Sequence, residues 1–218
     1  MKFNTHDTLL FIGDSITDAG RDRMNPESMG QGFPLLISAA LQNVFPEKRL
    51  TFINRGIGGD KLVDLKNRWE EDCLNLNPDI VTVMIGINDT WSNESKADGP
   101  SEEELDEFES NYRFLLKSLH QRTDAKIILM EPFVLPFPKD RVYWRADLDK
   151  RIHVVRKMAG EYQTELIPLD GLLNAAGLKN GFSYYTGDDG VHPTVAGHGF
   201  IAKTWIDSIV DKKEVVLH

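Results

Sequence analysis

Ile80-Val81-Thr82-Val83-Met84-Ile85 is a nearly unbroken apolar run that meets Gly86 at its end. A strand with one wet face alternates apolar and polar residues, whereas a run like this one suits a strand buried on both faces. Four more β-rich runs flank it: Leu9-Leu10-Phe11-Ile12, Leu50-Thr51-Phe52-Ile53-Asn54, Lys126-Ile127-Ile128-Leu129-Met130 and Glu165-Leu166-Ile167-Pro168-Leu169. Helical periodicity fills the gaps. Phe33 to Phe45 sets Leu36, Ile37, Ala40, Leu41 and Val44 on one stripe, and Asp60 to Leu74 spaces Leu62, Leu65, Trp69 and Cys73 by threes and fours. Ser101-Glu102-Glu103-Glu104 reads as a capping box that opens a helix running to about Gln121. Further helices are expected over Arg145 to Tyr162 and from Thr194 to about Val210. Strands alternating with helices predict an α/β protein, a three-layer α/β/α sandwich around a parallel sheet.

The chain has 218 residues, 41% of them hydrophobic, which predicts a single domain spanning 1–218 with a sizeable core. Its 17 glycines and 10 prolines are scattered and form no linker. A net charge of -9 is poorly suited to nucleic acid, anionic lipid or a polyanionic substrate. The lone cysteine, Cys73, excludes an internal disulfide and, within a helical pattern, reads as a small buried hydrophobe. Met1 to Asp7 lacks the apolar core of a signal peptide, and no stretch approaches the ~20 apolar residues of a membrane span. A cytoplasmic protein without membrane or nucleic-acid partners is expected.

Chemistry enters at the turns. Gly13-Asp14-Ser15 follows the first run, Arg55-Gly56-Ile57-Gly58-Gly59-Asp60 the second and Gly86-Ile87-Asn88-Asp89 the third; Asp189-Gly190-Val191-His192-Pro193 lies near the C-terminus. A serine hydroxyl is nearly inert at neutral pH. It needs an imidazole to take its proton, and the imidazole needs a carboxylate to fix its tautomer. A glycine N–H and an asparagine amide are donors suited to an oxyanion. Each block alone has a plain structural reading as a cap or turn. All four fall on one rim of the sheet, beyond the carboxyl ends of the strands, where ligands of such folds bind. Their chance coincidence is on the order of one in 10⁵. The other histidines, His6, His120, His153, His198 and His218, lack carboxylates at ligand spacing and read as surface or core residues.

These four blocks resemble those of the GDSL esterases and lipases, in the SGNH hydrolase group, over nearly the whole chain; Ile16 stands where the family name has leucine. The resemblance implies a flavodoxin-like SGNH hydrolase fold with five parallel strands. It implies Ser15 as nucleophile, His192 as base and Asp189, rather than Asp188, as the group that orients it. The oxyanion donors would be the Ser15 and Gly59 backbone N–H groups and the Asn88 side chain. No metal or other cofactor is required.

Leu10 to Asp18, Asp64 to Asp72, Ile85 to Trp91 and Val191 to His198, which extend well beyond the catalytic blocks, are similar to the intracellular bacterial acetylxylan esterases. That similarity implies a small-molecule or oligosaccharide ester carrying sugar O-acetyl groups, and a homo-oligomer. Asp14, Trp91 and Trp144 are the expected substrate contacts, with stacking on a sugar ring and plain packing both open for the two indoles. The aromatic stretch Glu131 to Trp144 reads either as a substrate wall or as a stiff loop packed on its own rings. The rival readings are a general short-chain carboxylesterase or lysophospholipase-like enzyme, and a non-catalytic carbohydrate-binding protein.

Overall fold

Each of the five runs forms a strand in the computed structural model, which describes residues 1–211. They are β1 Thr8–Gly13, β2 Thr51–Gly56, β3 Ile80–Met84, β4 Lys126–Met130 and β5 Glu165–Ile167. They pair in parallel in the order β2-β1-β3-β4-β5. The helices are α1 Ser15–Asp18, α2 Phe33–Val44, α3 Leu62–Asn67, α4 Trp69–Asp72, α5 Ile87–Trp91, α6 Glu102–Arg122, α7 Arg145–Tyr162, α8 Leu169–Asn180, α9 Phe182–Tyr185 and α10 Val195–Ile209.

Strand alternation divides the interior into two cores. Leu9, Phe11, Ile80, Met84, Ile128 and Met130 join the first, with Phe33, Ile37 and Leu41 of α2 and Ile201 and Trp205 of α10. Leu10, Ile12, Val81, Val83 and Leu129 join the second, with Leu62, Leu65 and Trp69, the buried apolar face of α6, and Val154, Val155 and Met158 of α7. The sheet is therefore the middle of three layers. Each fully buried large side chain, such as Trp69 or Trp205, contributes roughly 1.5–3 kcal/mol relative to exposure.

The register sets where the chemistry lies. Gly13 pairs with Gly56 on one side and with Met84 on the other. The carboxyl ends of three strands are thus level, and the turns after them emerge together. The order 2-1-3 makes the gap between β1 and β3 the topological switch point, the usual ligand crevice of an open α/β sheet.

Several details differ from the sequence pattern. On α2 the buried face is Phe33, Ile37, Ser38 and Leu41, while Leu36 and Val44 are 39% and 38% exposed. Pro34 and Phe33 pack inward and set the helix phase, which turns the expected stripe partly outward. The Asp60–Leu74 period holds, since all four spaced residues are buried, but the helix breaks at Arg68. The Arg68 guanidinium is drawn to the strand ends, where it donates to the backbone oxygens of Gly13 and Arg55 and to Asp60 and Asp72. The fifth strand stops at Ile167, because Leu169 opens α8, and the apolar character of Leu169 serves a helix. The Ser101 capping box is present, its hydroxyl accepting from Glu104 N–H while the Glu104 carboxylate accepts from Ser101 N–H. His218 lies outside the described residues.

Candidate active site

Ser15 is the first residue of α1, one residue beyond the turn out of β1. Asp14 caps that helix by accepting from Ile16 N–H at 3.0 Å. The Ser15 hydroxyl Oγ lies 2.8 Å from His192 Nε2. His192 comes from the loop between α9 and α10, which is pinned by a bridge between Thr186 and Pro193 and by Gly187 N–H donating to His192 O. Its Nδ1 lies 2.5 Å from Asp189 Oδ2. The other Asp189 oxygen accepts from Val191 N–H at 2.8 Å and His192 N–H at 2.9 Å. Partial burial alone would raise the Asp189 carboxyl, but the imidazole and the two backbone donors outweigh it and hold it below its usual value. A carboxylate that stays ionised favours a proton on Nδ1 and leaves Nε2 free to accept from a hydroxyl. Asp188 is exposed; Asp189 is the carboxylate that meets the ring. The His192 side chain is 47% exposed, so the site opens directly on the surface.

The turn after β2 is tied to the segment around Ser15 by two hydrogen bonds. Ile57 N–H donates to Gly13 O at 3.0 Å, and Gly58 N–H donates to Asp18 Oδ2 at 3.0 Å. A Cβ added at Gly58 would lie 3.7 Å from the Ser15 Cβ, so this turn runs beside the hydroxyl. Gly59 follows at φ +89, a left-handed conformation that glycine adopts without strain. Asn88, in the first turn of α5, spends one amide N–H on Asp60 O at 2.9 Å, which fixes its rotamer and leaves its second N–H unspent in that bond.

A buried polar network behind α5 escaped sequence reasoning. Asp89 accepts from Leu62 N–H at 3.1 Å, and Asp147 accepts from Thr90, Asn93 and Arg151. Arg151 also comes within 4.0 Å of Asp89. Burial pushes the Asp89 carboxyl up to about 6, with Arg151 and Leu62 N–H opposing it. The only signal in the sequence was the Asp147–Arg151 spacing of four on a helix, which is common on solvated surfaces.

Two expected substrate contacts are corrected. Asp14 is 1% exposed and faces inward as a helix cap, so it cannot touch a ligand directly. Burial pushes its carboxyl up to about 7, against the Ile16 N–H and the nearby His192. Trp144 is 4% exposed, with its ring against Trp91 at 5.1 Å between centroids and under the Arg141 guanidinium at 4.2 Å, so no face is left for a sugar. Trp91 is only partly buried and lies 6.1 Å from the His192 ring. His198 has a core role: its Nδ1 accepts from Phe33 N–H at 3.2 Å, and burial, reinforced by His192, holds it down at about 4. Cys73 is buried, and burial pushes its thiol up.

The sequence profile of the GDSL-like lipase/acylhydrolase family matches residues 11–200. An acetylxylan esterase of Geobacillus stearothermophilus is 36% identical over 217 residues, 96% of each chain. A mutant of Axe2, an acetyl-xylooligosaccharide esterase of that organism, superposes with a TM-score of 0.86 at 35% identity, covering 100% of both chains. LAE5, an alpha/beta hydrolase enzyme from the metagenome of Lake Arreo, Spain, superposes with a TM-score of 0.83 at 31% identity, covering 94% of this chain and 96% of the other.

Proposed function

The chain belongs to the GDSL-like lipase/acylhydrolase family, and from that premise we propose that it removes acetyl groups from the hydroxyls of xylo-oligosaccharides or related sugars through an acyl-enzyme on Ser15. It is a carboxylic ester hydrolase. The observation that carries the mechanism is the unbroken relay from Ser15 Oγ through the His192 ring to Asp189 at the sheet's switch point.

His192 Nε2 takes the hydroxyl proton as Ser15 Oγ attacks the ester carbonyl. Asp189 holds the imidazole and stabilises its charged form. The oxyanion that develops meets the backbone N–H groups of Ser15 and Gly59 and the unspent Asn88 N–H; one such donor is typically worth about 3 kcal/mol. His192 then gives its proton to the leaving sugar oxygen, and the acyl-enzyme forms. Water, deprotonated by the same ring, attacks the acyl carbon and releases acetate and the free serine. A relay that opens directly on the surface suits an acyl group carried on a larger sugar, with Trp91 beside His192 as the wall facing it. The 35–36% identity to enzymes named for acetylated xylan and xylo-oligosaccharides supports the same substrate class. A homo-oligomer and a cytoplasmic location belong to this reading. Among the described residues no helix is long and apolar enough to cross a membrane.

The test is acetate release from acetylated xylo-oligosaccharides, run beside p-nitrophenyl acetate, butyrate and octanoate, with Ser15→Ala as the blank. Release that depends on Ser15, falling as the acyl chain lengthens, is expected. Turnover of octanoate without release from the sugar acetates would overturn the sugar reading in favour of a general or lipid esterase. No Ser15-dependent turnover at all would leave a binding protein.

A further inference from the structure

The stretch from Glu131 to Trp144 carries a nearly buried cation, Arg141, that no step of the proposed chemistry uses. Arg141 lies in a 3-10 segment, Lys139–Trp144, and its side chain is only 11% exposed. Its Nε donates to the backbone oxygen of Asp189 at 2.8 Å, and one terminal nitrogen pairs with Asp140 at 2.8 Å. The guanidinium carbon lies 4.2 Å from the Trp144 ring centre and 5.5 Å from that of Trp91, both within cation–π range. Trp91 in turn packs at 6.1 Å from the His192 ring.

The same stretch grips the next residue of the Asp189 loop. Leu135 N–H donates to Gly190 O at 2.9 Å. Gly190 sits at φ +77, and a Cβ there would fall 2.2 Å from Phe137 O and 2.7 Å from Leu135 O. The loop that carries Asp189 and His192 is therefore held on two sides, by the Thr186–Pro193 bridge and by the aromatic stretch. On the second side, among the described residues, the Arg141 bond to Asp189 is the only side-chain hydrogen bond from the stretch to the loop.

We infer that Arg141 is a positioning residue for the acid–base arm of the site: one guanidinium, lying over two indoles that pack on each other, fixes the Asp189 backbone and the indole beside His192 together. Its planar fork lets it donate at its edge while its face stacks, which a lysine ammonium does not reproduce. Without it the Asp189 carbonyl loses its donor, Trp91 loses the cation that braces it, and the imidazole is free to drift from Ser15. A displacement of about 1 Å at a catalytic group costs roughly 10²-fold in rate. The effect belongs in kcat, since Arg141 acts through the loop and does not touch the ester.

This inference rests on the Ser15–His192–Asp189 reading, and its test separates the two. Arg141→Ala and Arg141→Lys are assayed on p-nitrophenyl acetate beside Ser15→Ala, well below the melting temperature of each. Arg141→Ala is expected to lower kcat by roughly 30- to 100-fold with KM within about threefold of the parent. Added guanidinium ion, far below denaturing concentration, is expected to restore at least about tenfold by refilling the place over the two indoles. Arg141→Lys keeps the stem and the charge and stands in if the alanine variant does not fold; its kcat should fall at least about tenfold. A folded variant with kcat within threefold of the parent while Ser15→Ala is dead would overturn the inference and leave the triad standing. A loss of kcat that guanidinium does not restore, or that moves in step with KM, makes Arg141 a packing residue and also overturns it. Turnover by Ser15→Ala would remove the triad reading and this inference with it.

Discussion

Asp14→Asn is expected to make the protein more stable above neutral pH, although it removes a carboxylate one residue from the nucleophile. Asp14 is 1% exposed, and its Oδ1 accepts from Ile16 N–H at 3.0 Å. Burial pushes the carboxyl from 3.8 to about 7 in the folded chain. Between those values the folded protein holds a proton that the unfolded chain has released. The contribution of Asp14 is therefore fully present below about pH 4 and is lost as pH rises through about 7. At about 1.36 kcal/mol per unit, the window amounts to a ceiling of about 4 kcal/mol. Asparagine keeps an oxygen for Ile16 N–H and never ionises. The stability difference, variant minus parent, should be near zero at about pH 4 and climb towards roughly 4 kcal/mol by pH 8, about 8–16 °C in Tm for a chain of this size. The assay is urea or thermal unfolding of both proteins at half-unit steps from pH 4.5 to 8. Taking the difference largely cancels other titrating groups, including Asp89, whose carboxyl burial lifts to about 6. A difference that stays flat across pH 5–8 would refute the reasoning, because it would mean that Asp14 ionises in the fold without cost.

The remaining expectations are simpler. Asn88→Ala removes a side-chain donor to the oxyanion and also releases Asp60 O; kcat on p-nitrophenyl acetate should fall by about 10²–10³, and a fall under threefold would take Asn88 out of the oxyanion hole. Ile37→Ala should cost about 2–5 kcal/mol in urea unfolding and Leu36→Ala under about 1 kcal/mol, because Ile37 is fully buried and Leu36 is 39% exposed; equal costs would restore the stripe expected from the sequence.

That α2 pair shows how legibility divides along the chain. Strands were readable because burial on both faces leaves a run of apolar letters with little else, as in Ile80 to Met84. Helix existence was readable from period, and the start of α6 from the Ser101 box, which needs only local geometry. Helix phase was less readable. Leu36 and Ile37 are adjacent hydrophobes on α2, and which faces inward depends on how Phe33 docks against His198 of α10. The break at Arg68 was hidden for a related reason: the period ran on unbroken while a long-range pull by the strand ends bent the backbone.

The site divides in the same way, and its aspartates show why. Asp14, Asp18, Asp89 and Asp189 all stand on or beside motif blocks, with nothing in the letters to separate them. Burial lifts Asp14 and Asp89, whereas hydrogen-bonded partners overcome burial at Asp18 and Asp189 and hold them down. Asp189 meets the imidazole because its own loop delivers two backbone donors to one oxygen and leaves the other for the ring. Asp18 locks the turn after β2, with Arg23 and Gly58 N–H on a single oxygen. Asp14 serves as a buried helix cap. A motif can name the residue types that a reaction needs and space them along the chain. Which carboxylate stays ionised, which goes neutral and which only braces a turn is set by donors and burial from segments far away in sequence, such as Arg151 against Asp89. That is why the sequence alone suggests Asp14, adjacent to Ser15, as a ligand contact, and why nothing in it links Arg141 to Asp189, 48 residues on.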